Sequence, residues 1–470
     1  MPRPRFRRPA LSRRAIWAAV ILLAALAIRV AEVQRTSYQP INDAAAYLTL
    51  ASQVAHTGDY STSHAVGTGA GGTRGPSAYF PPGFPYFLAA VDLVDGHTGP
   101  AQASDTAHGG AGYDPAAVQP ARISQAVLGT IVVALIGLVA LEAFGPAVAL
   151  VALVIGTVYP VLVELSAVLV AENLLTVFIL AAIWAALRAR RSPQPYGWIA
   201  GAGVSTGLAT LAHVNAIVLI VPLAVAAWRV RPKLASPAVL LATTLLTLAP
   251  WLVRDAVVMH SFIRVTDEDG ITLVGTYNHT SATDPQVPYR WRLYLNLPGE
   301  RRLIQQAPHL TEPQLSQRLQ DQAFDYIGDH PASPLDVLYR NTRRLLELEG
   351  SRAWKISAAS IDLPIATARI GVLSFWLLCL LSVAGVFTTA IRRGAKWLWV
   401  APLLLWLSVG LVNSETPRFR EAIDPFLVLL GACAVEAALR EIWSRLRGSP
   451  VPGHRGRGVA PGPAKGVKVG

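Results

Sequence analysis

The sequence predicts an all-helical polytopic membrane protein: about ten transmembrane helices, interfacial helices and a smaller, mostly helical segment outside the bilayer. Three observations predict it. Only 15% of the 470 residues are charged and 52% are hydrophobic, whereas soluble chains carry about a quarter charged residues. The deficit is concentrated, because residues 15–28, 126–141 and 235–248 carry no charge at all. The excess charge, net +12, is clustered at the ends of apolar segments. Helices are the natural spanning element, since lipid offers backbone polar groups no partner.

The basic clusters occupy residues 2–14, 188–191, 229–233, 392–396 and the tail after residue 440. Their position beside apolar runs marks the cytoplasmic ends of spans and argues against a nucleic-acid surface. The two cysteines, Cys379 and Cys433, both lie in apolar segments. They form neither a disulfide framework nor a metal-ligand spacing.

Apolar segments fall near residues 15–33, 80–95, 119–142, 146–164, 170–188, 196–212, 213–229, 235–253, 366–390, 397–412 and 421–440. The first follows a basic start and lacks a small-residue cleavage site, so it reads as an uncleaved anchor. The segment at 80–95 is short and contains Pro81, Pro82, Pro85, Asp92 and Asp95. Counted as a crossing, it would put the clusters at 188–191 and 229–233 outside. Laid in the interface, it leaves every basic cluster inside.

This topology divides the chain. Residues 1–14 form a basic cytoplasmic start, and residues 15–253 a membrane core with an outer loop at 34–118. Residues 254–365 are extracytoplasmic, 366–441 return to the membrane, and 442–470 form a basic, disordered cytoplasmic tail. Within the outer loop, residues 41–56 read as a short helix capped by Asn42 or Asp43. Thr311-Glu312-Pro313 opens a helix toward Asp329, and Ser333-Pro334 opens another toward Glu349.

Ionisable residues at the outer face are the candidate chemistry. Asp43 follows the first span. Glu164 and Glu172 flank an outer turn, where a carboxylate at membrane depth is costly. Arg29, Arg122, Arg254, Arg418 and Arg420 recur on the same side, against the positive-inside bias. They suit an anionic ligand such as a phosphate, and snorkelling to headgroups is the competing explanation. A helix cap competes for Asp43, a solvated turn for Glu172. His213 and Asn215 also lie on this side, with no second histidine at metal spacing.

These residues resemble, in order, the motifs of the protein O-mannosyltransferase and aminoarabinose transferase superfamily, the polytopic C-type glycosyltransferases. Arg29 is similar to a first-span arginine, and Asn42-Asp43-Ala44-Ala45-Ala46-Tyr47 to an outer acidic motif before a tyrosine. Tyr79-Phe80-Pro81-Pro82-Gly83-Phe84-Pro85 resembles a Pro-Pro element, and Ala121-Arg122-Ile123 the start of the next span. Residues 166–174, with Glu172, are similar to the segment bearing a second acid. Pro250-Trp251-Leu252-Val253-Arg254-Asp255 and Arg418-Phe419-Arg420 with Asp424-Pro425 resemble later motifs. Three departures stand out: Ala44 where many relatives have a second acid, Phe80 where some have a cation, and Asp255 where the motif has Asn.

The resemblance implies a sugar transferase at the outer face of the plasma membrane that uses a polyprenyl-phosphate sugar donor. The acceptor would be a lipid, a glycan or a protein, with membrane lipids as surroundings and no nucleic-acid partner. Asp43 is expected as the base and Glu172 as an orienting acid. Arg29, Tyr47, Arg74, Arg122, Arg254 and Arg418 are expected to bind substrate, Arg74 replacing the cation missing at Phe80. No cofactor is assigned, and use of a divalent metal is left open. A transporter or flippase is the rival; it predicts mid-span ionisable residues and internal repeats, and no repeat is visible. A non-catalytic scaffold would show no dependence on Asp43.

Overall fold

The computed structural model describes residues 13–61, 72–73, 75–95, 115–230 and 232–447. Arg74, together with the N-terminal and C-terminal basic stretches, lies outside the described residues. Among those described, helix dominates, and the only strand-like pairing is an isolated bridge between Ser61 and Pro76.

The chain begins with α1 (Arg13–Arg35) and continues through α2 (Asp43–His56), α3 (Gly83–Asp95) and α4 (Pro115–Phe144). Next come α5 (Pro146–Val158), α6 (Pro160–Leu165), α7 (Glu172–Ala189), α8 (Pro195–Ala212), α9 (Ile220–Trp228) and α10 (Ala235–Val258). A run of short elements follows: α11 (Asp269–Thr276), α12 (His279–Ala282) and α13 (Arg301–Gln306). Beyond them lie α14 (Glu312–Asp329), α15 (Ser333–Leu345) and α16 (Ser351–Ser360). The chain then forms α17 (Ile365–Val386), α18 (Thr389–Arg393), α19 (Val400–Gly410) and α20 (Asp424–Leu446).

Five of these helices, α1, α4, α7, α10 and α17, are long and apolar enough to cross a membrane, and three shorter apolar helices accompany them. The helix α3 has 13 residues, about 20 Å at ~1.5 Å per residue, short of the ~30 Å hydrocarbon layer. It packs beside α2, where Asp92 meets His56 at 3.1 Å. Gly83 lets α3 start against α8, since a Cβ there would stand 2.7 Å from the Leu211 carbonyl oxygen.

The apolar stretch read as one span at 146–164 is a broken helix, α5 then α6. Pro160 has no N–H, so the Gly156 carbonyl one turn earlier loses its helical donor. Arg29 supplies the replacement from α1. Its guanidinium is fully buried and donates to Gly156 O at 3.0 Å and to Ser166 Oγ at 3.2 Å. In lipid an unsatisfied carbonyl is costly, so Arg29 has a role in the fold as the donor to this broken turn.

At the opposite face, Glu142 near the end of α4 holds Arg188 and Arg191 near the end of α7, at 2.8 and 3.0 Å. The basic cluster at 188–191 therefore shares a side with the ends of both helices, away from Asp43 and Glu172. The helix α14 starts as its sequence predicts. Thr311 and Gln314 form a capping box. Asn42 behaves otherwise: at φ 50° it makes no cap bond and its amide donates to Ser360 O at 2.8 Å.

Candidate active site

Asp43 is the first residue of α2 and Glu172 the first of α7. A carboxylate at a helix N-terminus is favoured by the exposed N–H groups and the macrodipole. Between them lies Arg418, on the single turn Arg418–Arg420 that precedes α20. Its Nη1 stands 2.7 Å from Asp43 Oδ2 and its Nε 2.6 Å from Glu172 Oε1. Three segments far apart in sequence thus converge on one guanidinium. Burial opposes the Arg418 charge, but Glu172 and then Asp43 outweigh it and hold its pKa well above the ordinary value. Glu172 is buried at 2% side-chain exposure, whereas Asp43 is open at 38%. Asp43 is therefore the acid that an incoming molecule can reach.

Tyr47, one turn along α2 from Asp43, is buried edge-on against Phe80 and Phe84. It fastens α2 to the Pro-Pro turn. That turn is also pinned from the later segment: Glu312 accepts from Ala78 N at 2.6 Å and Ser77 Oγ at 2.8 Å. Asp267 N donates to Ala78 O at 3.1 Å, and Thr266 Oγ1 donates to Tyr79 O. Burial raises the pKa of both Asp267 and Glu312, and the two face each other. Two carboxyls so close do not both ionise readily, and a proton held by one leaves the pair with a single negative charge.

Glu268 follows Asp267 directly in the chain. Burial first, then the charge of Asp43, pushes its carboxyl up to about 8. Thr272 Oγ1 donates to it at 3.3 Å. Glu415 also faces this region, raised by burial and influenced by Arg418, Arg290 and Asp43. Three acids in a row, Asp267-Glu268-Asp269, look like a solvated loop in the sequence, and nothing there distinguishes the middle one.

The arginines separate into two kinds. Arg122 donates to Ala167 O at 2.8 Å, to Thr36 O at 3.0 Å and to Thr36 Oγ1 at 2.7 Å. Arg254 donates to Ser77 O at 2.7 Å and Tyr60 O at 2.9 Å, pairs with Asp255 at 2.8 Å and lies over the Trp251 ring. Arg420 is held by Glu347 at 2.9 Å and Asp424 at 3.1 Å. These are ties between segments. Arg290 differs. It is half-buried, and among the described residues it has no ion pair or hydrogen bond from its guanidinium. Tyr289, just before it, has φ 56°, and Arg344 grips the carbonyls of Pro288 and Tyr289. A non-glycine residue in the left-handed region, over-determined by its surroundings, is a feature of functional turns.

Among the described residues, no three His, Cys, Asp or Glu side chains gather as a metal site. Asp43 and Glu172 both spend an oxygen on Arg418, so the guanidinium occupies the place between them where a shared cation would sit.

The fold is that of a polytopic, all-helical membrane protein whose ionisable centre is assembled at one face. A family model described as dolichyl-phosphate-mannose-protein mannosyltransferase matches residues 116–253. The structure resembles the oligosaccharyltransferase of Archaeoglobus fulgidus tethered with an acceptor peptide: TM-score 0.53, 13% identity, 92% of this chain and 50% of that one. The apo form of the same enzyme gives TM-score 0.52 at 12% identity, over 93% and 52% of the two chains. ArnT from Cupriavidus metallidurans bound to undecaprenyl phosphate also aligns, with TM-score 0.40 and 14% identity over 93% and 81%. No curated protein matches the sequence. The family model covers residues 116–253 of the chain, and the likeness to the oligosaccharyltransferase structures shows the fold. The chain spans about half the length of the oligosaccharyltransferase structures it matches.

Proposed function

We propose that this protein is a glycosyltransferase that moves a sugar from a polyprenyl-phosphate donor to an acceptor at the outer face of the plasma membrane. The observation that carries the reading is the Asp43–Arg418–Glu172 bridge: a reachable carboxylate, positioned by a buried arginine, on the face away from the Arg188 and Arg191 cluster.

In the proposed reaction Asp43 takes the proton of the acceptor hydroxyl. The acceptor oxygen bonds to the sugar's anomeric carbon on the side opposite the phosphate. The bond from that carbon to the phosphate oxygen breaks, and its electron pair leaves with the polyprenyl phosphate. One displacement inverts the anomeric configuration. Glu172 acts through Arg418, holding it so that Asp43 keeps one orientation. A lipid, glycan or protein hydroxyl satisfies this geometry equally.

The leaving phosphate needs cations more than a general acid. Arg290 is the candidate, since the described protein leaves its donors unused. The lipid tail is assigned to the side of α3, whose Tyr86, Leu93 and Val94 are exposed apolar surface. No step is routed through a metal.

The test is transfer from radiolabelled polyprenyl-phosphate mannose, and from a panel of other polyprenyl-phosphate sugars, in membranes holding the full chain. Asp43→Asn is expected to lower turnover by about 10²–10⁴-fold. Full transfer by that variant sinks the base assignment. No turnover by the wild type with any such donor favours the transporter reading.

A further inference from the structure

Behind the Arg418 bridge, on the side away from Asp43, a small cavity of about 10 Å³ lies among Glu172, His213, Asn215, Arg418, Phe419 and Leu405. That is the lower limit of the space one water molecule occupies. Three polar atoms at this cavity are sealed from solvent and make no hydrogen bond of ordinary geometry, Glu172 Oε2, His213 Nδ1 and Asn215 Oδ1, although the His213 and Asn215 side chains lie near enough to influence one another. Each would carry a desolvation penalty if left alone. A water with two to four polar partners is the ordinary remedy.

The hydrogen inventory restricts how the three are satisfied. Glu172 Oε1 is spent on Arg418 at 2.6 Å, and Oε2 is an acceptor. Asn215 is oriented by Ser408. The Ser408 hydroxyl donates to Leu405 O at 2.7 Å, so it can only accept from Asn215 Nδ2, at 3.5 Å. The Asn215 oxygen therefore faces the cavity as a second acceptor. A water has two hydrogens, which these acceptors consume. What it has left is lone pairs, and a lone pair needs a donor. The third atom must therefore be an N–H.

We infer that a water molecule is built in behind Glu172, donating to Glu172 Oε2 and Asn215 Oδ1 and accepting from His213, whose ring carries its proton on Nδ1. The tautomer follows from the network, as histidine tautomers must. Both oxygens of Glu172 are then engaged, one by Arg418 and one by the water, and the carboxylate cannot rotate. Only the purpose of this arrangement, a fixed support under Arg418 and Asp43, rests on the proposed transferase reading. The water and the tautomer stand without it.

The test uses the full chain in lipid nanodiscs with ¹⁵N-labelled histidine. The sequence holds ten histidines, and the signal lost in His213→Asn identifies the ring. The expected spectrum is that of a ring protonated at Nδ1 and bare at Nε2. A ring protonated at Nε2, or at both nitrogens beside Glu172 and Arg418, overturns the inference. A high-resolution density map supplies the second arm. The expected result is a peak within hydrogen-bonding distance, about 2.7–3.2 Å, of all three atoms. An empty cavity, or a direct bond from His213 to Glu172 or to Asn215, overturns it. The third arm compares variants. His213→Leu removes the donor and is expected to lose the peak. His213→Asn, whose amide nitrogen can stand where Nδ1 stood, is expected to keep it. A peak kept in both or lost in both overturns the role given to His213. If His213→Leu fails to fold, the wild-type spectrum and map still decide.

Discussion

Arg418 binds Asp43 through Nη1 at 2.7 Å and Glu172 through Nε at 2.6 Å, so one side chain joins the starts of two helices. The two bonds differ in kind. The Asp43 end is open to solvent, while the Glu172 end is closed to it. Removing the cation therefore has a cost that depends on which acid is left behind.

Arg418→Met is expected to destabilise the fold by about 3–5 kcal/mol, because buried Glu172 is left as an uncompensated charge. Adding Glu172→Gln should recover most of that loss. Thermal unfolding in a mild detergent, run as a double-mutant cycle, reads the coupling. Independent, additive losses would mean that the bridge is absent in solution.

Arg29 offers a test of fold against chemistry. Arg29→Met leaves the Gly156 carbonyl without a donor, at a cost of about 1–3 kcal/mol. Pro160→Ala restores a backbone N–H to that carbonyl and should offset the damage. A melting temperature that Pro160→Ala leaves unimproved in the Arg29→Met background would count against Arg29 as that donor.

Glu268 predicts the direction of a pH effect. The folded carboxyl holds its proton up to about pH 8, against an ordinary value of 4.5. Between those values the unfolded chain has released a proton that the folded chain keeps. Raising the pH through this window therefore favours unfolding. The contribution is fully present below about pH 4.5 and is lost by the time the pH passes 8. Glu268→Gln should flatten this part of the stability profile. An unchanged slope in that variant would show that other buried acids, such as Glu415, carry it.

Arg290→Gln separates ligand binding from stability. With no ion pair to lose among the described residues, the variant should melt within about 0.5 kcal/mol of wild type. Its affinity for undecaprenyl phosphate should fall by about 10–100-fold, the worth of one charge-assisted hydrogen bond. Equal affinity in calorimetry would remove Arg290 from the phosphate site.

Much of this was legible in the sequence, and the reasons are local. The helix start at Thr311-Glu312-Pro313 is a short-range signal that later packing did not override. The weakness of residues 80–95 as a span followed from prolines, acids and charge bias. Asp43, Glu172 and Arg418 were legible as residues sharing a face, because topology carries that information. What they do to one another was not, since contact across hundreds of residues leaves no periodicity. The break at Pro160 was hidden because hydropathy averages over it, and so the true partner of Arg29 was hidden too. Glu268 and Arg290 were missed for the opposite reason: charged residues in a polar segment look ordinary until their neighbours are known.

The position of Arg418 in the chain has a consequence for biosynthesis. Asp43 and Glu172 leave the ribosome long before the turn that carries their shared cation. Until that turn is translated, the two carboxylates lack the group that joins them. The Asp43–Arg418–Glu172 bridge thus forms only after the turn at 418 has been made, and a chain stalled before that residue holds the two acids without their shared cation.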